Sequence, residues 1–184
     1  MTRRGDLLDL AARRTVYGVI EAFPGLHLSE VARQAGLAPN HAKYHVLYLE
    51  RHGLVSASEE GGLLRCFPRI EGRLGPQEAI QAQDKTILAV LRQAVPLHAT
   101  LLLLDRGEAT HGDLDAVIPV SRTTLHYHMG KLEAARIVEG RREGRTRVYR
   151  LREPDRVLGL LLRYRPPDAL VQGFLEAWEA VVVP

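Results

Sequence analysis

Shifted against itself by 83 positions, the chain overlays two of its own segments. Ser29–Ala35 falls on Gly112–Ile118, Lys43–Glu50 on His126–Glu133, and Leu54-Val55 on Ile137-Val138. Tyr44/Tyr127, His45/His128, Leu49/Leu132 and Glu50/Glu133 are identical without a gap. Self-similarity at a fixed period marks a duplicated supersecondary unit, so the chain is read as two copies of one small fold.

In the first copy Val16, Val19, Ile20 and Phe23 recur at i, i+3, i+4 and i+7, one face of a helix. Pro24-Gly25 ends it, and Leu26-His27-Leu28 reads as a short extended piece. Ser29 is expected to cap a second helix that buries Val31 and Ala35. Gly36 suits that helix's C-terminal end, and Pro39 the first turn of a third helix with Ala42, His45, Val46 and Leu49 inside. Gly53 stops it. Leu54–Ser56 and Leu63–Phe67 then read as two strands joined at Glu59-Glu60-Gly61-Gly62.

The second copy repeats the order. A leucine-rich helix over 97–104 is followed by Ala109–His111 as a short strand. Leu114, Val117 and Ile118 mark the next helix, and Ser121 caps a third with Leu125, His128, Met129 and Leu132 inside. Ile137-Val138 opens a hairpin with its tip at Arg142–Arg145 and its return at Thr146–Leu151. One gap aligns Gly62 with Gly144, Arg65 with Arg147 and Phe67 with Tyr149.

Three helices followed by a two-stranded hairpin is the order of a winged helix-turn-helix. The expected class is therefore mainly α with small β wings, α+β. An N-terminal winged unit is placed at 1–75, a second with its leading helix at 76–152, and a helical tail at 153–184. The run Ser121–Glu133, then Ile137-Val138, then Gly144–Leu151 resembles the third helix and wing of ArsR/MarR-like transcriptional regulators. Gly36–Glu50 is similar. As a whole the chain resembles prokaryotic, especially archaeal, regulators with two winged helices in tandem. The resemblance implies a DNA-binding transcriptional regulator whose partner is double-stranded DNA.

Between the copies, Ile70–Gln77 reads as a linker and Glu78–Ala94 as a helix. The tail reads as helices over Glu153–Arg163 and Pro167–Val181, the last burying Leu170, Phe174 and Trp178. These helices either cap the core or form a homodimer interface.

Composition narrows the function classes. With 184 residues, 46% hydrophobic and 26% charged, the chain has the make-up of a globular protein. The apolar runs Leu101–Leu104 and Val181–Val183 are too short to span a membrane, and Asp6 and Asp9 interrupt any signal core, so a cytoplasmic, nucleoid-associated location is expected. A single cysteine, Cys66, excludes an internal disulfide and a cysteine zinc site. His41 and His45 have i, i+4 metal spacing, but His45 recurs as His128 on the inward face, which favours a structural hydrogen bond. No glycine-rich phosphate loop and no nucleophile elbow is present. No metal, cofactor or catalytic residue is expected, and the chain is not read as an enzyme.

Net charge is only +3, but Arg136–Arg152 holds seven arginines against Glu139 and Glu143. A local cluster of this kind is a candidate phosphate footprint. The buried stripe of the second copy's third helix leaves Arg122, Thr123, His126 and Tyr127 outward, where a helix in the major groove meets base edges. Ser121 leaves the first-turn amides facing a phosphate. Asn40, His41, Lys43 and Tyr44 are the first-copy counterparts. Arg141, Arg142, Arg145 and Arg147 place a cationic hairpin on phosphates or in the minor groove. Glu59 and Glu60 give the first hairpin the opposite sign, so the second copy is expected to be the stronger reader. The competing functions are a tandem winged-helix protein-interaction module of the chromosome-segregation or assembly type, and a sequence-blind DNA-coating protein.

Overall fold

A computed structural model describes residues 10–60, 62–69 and 80–182, apart from the side chains of 60 and 177–182. The chain divides into two compact units, Met1–Lys85 and Thr86–Pro184. Each carries helices followed by an antiparallel hairpin, so the fold is mainly α with small β wings.

In the first unit α1 (Ala11–Ala22), α2 (Leu28–Gln34) and α3 (Pro39–Arg51) precede β1 (Val55–Glu60) and β2 (Leu63–Pro68). Val16 and Ile20 of α1, Val31 of α2, and Val46 and Leu49 of α3 meet Leu26, Val55 and Cys66 in one core. These side chains are essentially inaccessible, and burying each such aliphatic group contributes about 1.5–3 kcal/mol. Pro39 stands at the start of α3, where the missing N–H costs nothing. Gly53, with φ of 72°, ends it. Ser29 is not a cap: α2 begins at Leu28 with His27 before it and no side-chain cap. The extended piece around His27 narrows to a single bridge with Arg65.

Helix α4 (Ala82–Leu91) starts just before the boundary and leads into α5 (Ala94–Arg106), β3 (Glu108–Thr110), α6 (His111–Val117) and α7 (Arg122–Ala134) of the second unit. The hairpin β4 (Val138–Glu143) and β5 (Thr146–Leu151) follows, then α8 (Pro154–Arg163) and α9 (Asp168–Val182). β3 pairs with β5, giving a sheet ordered β3-β5-β4. His111, expected in the strand, instead starts α6, because Thr110 and Asp113 close a reciprocal capping box in front of it. The helix expected over Glu78–Ala94 runs from Ala82 to Leu91, with Glu78 and Ala79 outside the described residues, and α5 departs from it at 103°. Pro96 accounts for the break: its ring would strike the carbonyl of Arg92, four residues earlier, if one helix ran through. No single described helix is long and apolar enough to cross a membrane.

Adding 83 to the bounds of α2, α3, β1 and β2 returns those of α6, α7, β4 and β5. The hairpins therefore have equal length, and the gap inferred from sequence is not needed. In this register Arg65 corresponds to Val148, not Arg147, and Phe67 to Arg150. Arg65 accordingly points inward and donates to the Gly25 carbonyl at 3.0 Å. The linker Ile70–Gln77 and the Trp178 side chain lie outside the described residues. Leu170 and Phe174 are half-buried, and His98 Nε2 hydrogen-bonds the Leu170 carbonyl at 2.9 Å.

Candidate nucleic-acid interface

Helix α7 is seated by Leu125, Met129 and Leu132, all buried. Ser121 caps it, its hydroxyl accepting from the Thr124 amide at 3.2 Å. Arg122, Thr123, His126 and Tyr127 are exposed, Tyr127 at 61%. His128 is half-buried; its ring meets the Tyr127 ring edge-on, and its Nδ1 is buried without a hydrogen-bond partner. His45 repeats this arrangement beside Tyr44. The structural hydrogen bond expected for these histidines is thus missing at Nδ1. Burial, reinforced by Arg13 at His45 and Lys131 at His128, holds both imidazoles below their ordinary range and hence neutral.

The wing's arginines do not form one cluster. Side chains alternate between the two faces of a strand, and in the β4–β5 register Arg141 stands across from Val148 while Arg142 stands across from Arg147. Arg141 is held by Glu108 at 2.9 Å and Glu143 at 2.7 Å. On the same side Arg150 and Arg152 reach Glu139 at 2.6 and 3.4 Å. Those bonds, Arg150 foremost, pull the Glu139 carboxyl below the usual carboxylate range. The opposite side carries Arg142 and Arg147, with Arg145 at the turn after Gly144, whose φ is 59°. Arg147 pairs with Glu133 of α7 at 2.5 Å. That contact passes over Gly140, where a Cβ would lie 2.6 Å from Arg147 Nε and 2.7 Å from Glu133 Oε1. Glu108 and Glu133, both outside the Arg136–Arg152 stretch, therefore lower its effective surplus. Arg142 donates only to the Gly144 carbonyl, at 3.3 Å, and Arg145 has no ion pair among the described residues.

Five of the expected site residues converge. Arg122, Thr123 and His126 from α7, with Arg145 and Arg147 from the wing, line one open cleft of about 570 Å³. His111 and Gly112 from α6 and Thr146 from β5 complete it. The His111 and His126 rings stand 6.4 Å apart, centre to centre. Asp115 is 3.9 Å from Arg122. Arg141, by contrast, borders a separate hollow with Glu139, Val148 and Arg150. His111 is not among the residues expected from sequence; its placement depends on β3 passing directly into α6 at Thr110.

In the first unit Asn40, His41, Lys43 and Tyr44 are exposed on α3, as their outward spacing requires. Its hairpin shows no comparable cation: Arg65 is internal and Glu59 is exposed. Tyr44, Leu47 and Leu63 add apolar surface, at 60%, 48% and 41% exposure. His41 is exposed while His45 is buried, so the pair does not offer one open metal face. Among the described residues no group of three or more His, Cys, Asp or Glu gathers as a metal site. Cys66 is buried, which pushes its thiol up to about 12.

No family model and no curated protein matches the chain. Among solved structures it is similar to reduced HlyU from Vibrio cholerae, at 26% identity over 50% of this chain and 98% of that one, with a TM-score of 0.42. It is also similar to Rv0081 of M. tuberculosis, at 22% identity over 56% and 97%, with a TM-score of 0.40. A third is the homodimeric winged helix-turn-helix DNA-binding domain of Mb0332 from Mycobacterium bovis, at 22% identity over 58% and 94%, with a TM-score of 0.41.

Proposed function

We propose that the chain is a DNA-binding transcriptional regulator of the ArsR-like winged-helix kind, reading DNA mainly through its second unit. The observation that carries this is the face shared by α7 and the wing. Arg142 and Arg147 stand directly across from each other in the hairpin, and Arg145 extends beyond them. Like charges directly opposite destabilise a hairpin, and Glu133 offsets only one of them. A polyanion running past the wing supplies the missing counter-charge. Helix α7 then enters the major groove, with Arg122 offering a bidentate fork to guanine and Thr123, His126 and Tyr127 bonding bases or phosphates. Arg141 is not part of this surface; its two ion pairs hold it on the other side of the sheet.

The first unit contributes through Asn40, His41, Lys43 and Tyr44 of α3 and not through its wing. Exposed Leu47 and Leu63 also favour a protein contact there, since Gly130 and Thr146 hold the equivalent places in the second unit. The tail helices α8 and α9 supply a homodimer contact, supported by Leu158, Leu162 and Leu175, which are 44%, 68% and 44% exposed.

A mobility shift with genomic and random duplexes at moderate salt tests the function. A regulator shifts a subset of genomic fragments at concentrations that leave random duplex free. Equal affinity for both indicates sequence-blind coating, and no shift indicates an interaction module. Within that assay Arg122→Ala is expected to narrow the gap between preferred and random duplex, whereas Arg145→Ala weakens both alike. Equal loss on every duplex from Arg122→Ala would remove Arg122 from base reading.

A further inference from the structure

We propose that the cleft between α6, α7 and the wing is a phosphodiester site in which His111 and His126 act as a pair. Both are protonated when DNA is bound, so that DNA binding takes up protons. This rests on the DNA-binding reading and adds to it a contact, His111, and a form of regulation.

The geometry points this way for three reasons. First, the two imidazoles lie side by side, His126 exposed and His111 half-buried. Their rings are 35° from parallel at 6.4 Å, and neither makes a hydrogen bond or ion pair among the described residues. The first turn of α6 does not use His111, because Thr110 and Asp113 already cap it through contacts of 2.6–3.1 Å. Second, every other titratable side chain that lines the cleft is cationic: Arg122 from α7, and Arg145 and Arg147 from the wing. The carboxylates nearby are committed elsewhere. Asp113 is turned into the cap, Asp115 faces Arg122 and Glu133 holds Arg147. Third, the cleft is much larger than one phosphate group and open to solvent, as a passing strand needs.

Two imidazoles and three guanidiniums line a cleft suited to an anion. Imidazole is the side chain whose charge changes between pH 5 and 8, and a phosphodiester between two of them favours the protonated form. Bringing up DNA therefore draws protons onto the pair, and by linkage a lower pH tightens binding.

The test is the affinity of the full chain for a genomic duplex that it shifts. Affinity is measured from about pH 8 to about pH 6 at fixed ionic strength, with a chelator present. Wild type is expected to bind about tenfold tighter at the acid end, and His111→Gln and His126→Gln each to lose about half of that gain on a logarithmic scale. The double variant is expected to be nearly flat. Arg145→Gln is expected to weaken binding at every pH with the proton dependence kept. His126 is exposed and His111 half-buried, and an unchanged thermal melt shows that the variants are folded.

If the double variant binds DNA with the wild-type pH dependence, the paired site is overturned while the DNA-binding reading stands. If wild type binds no duplex at any pH, both fall. A mononucleotide at matched ionic strength should not displace the duplex. If it does so with wild type and not with the double variant, the cleft belongs to a free phosphate ligand and the proposal is overturned.

Discussion

At the scale of single residues, most positions obey local rules, and the exceptions are informative. Arg136 adopts φ of 57° at the end of α7, where the first copy has Gly53 at 72°. A side chain in the left-handed region costs about 1 kcal/mol. Arg136→Gly should therefore raise the urea midpoint by about that much in free energy, and a lower midpoint would reveal a contact that holds the arginine in place. His45 gives a second expectation. Its folded form is held neutral by burial and by Arg13, so the unfolded chain binds the extra proton first. Stability should then fall as pH drops below the ordinary imidazole range and level off once the folded protein also takes the proton. His45→Gln should flatten that part of a stability-against-pH curve; an unchanged curve would shift the acid sensitivity to other groups. The Cys66 thiol, pushed up to about 12, should not react with a thiol reagent at neutral pH until the chain is unfolded.

At the scale of elements, the wing is governed by the pleat. The sequence run of arginines looks like one patch, but alternation divides it into a neutralised network around Glu139 and Glu143 and a cationic edge at Arg142, Arg145 and Arg147. Glu133 competes for that edge. Removing it by Glu133→Gln should free Arg147, raise DNA affinity and steepen the salt slope by about one counterion. A loss of affinity would mean that the ion pair positions the wing instead of masking it. Such exposed pairs contribute about 1 kcal/mol or less, so the variant should remain folded. The alternation is legible in a two-residue period. The partners are not: Glu108 joins Arg141 only because β3 pairs with β5, and Glu133 joins Arg147 only because Gly140 leaves the space. His111 is hidden for the same reason, since a strand ending one residue sooner than expected puts it at the start of α6. Pro96, by contrast, is a signal in plain view, and its effect on the carbonyl of Arg92 ends α4 earlier than periodicity suggests.

At the scale of the whole molecule, the duplication is the feature most fully legible in the sequence. Tyr44/Tyr127, His45/His128 and Leu49/Leu132 set one offset, and the third helices and both hairpins keep it to the residue. Duplication preserved the scaffold and let the surfaces diverge, in charge at the wings and in apolar exposure on α3. A second wing that meets DNA through Arg142 and Arg145 makes a quantitative demand on the salt dependence of binding. The slope of log affinity against log salt should fall by about two in Arg142→Gln/Arg145→Gln relative to wild type, near one unit for each phosphate that the wing no longer neutralises. An unchanged slope, with affinity intact, would show that DNA does not lie along this wing.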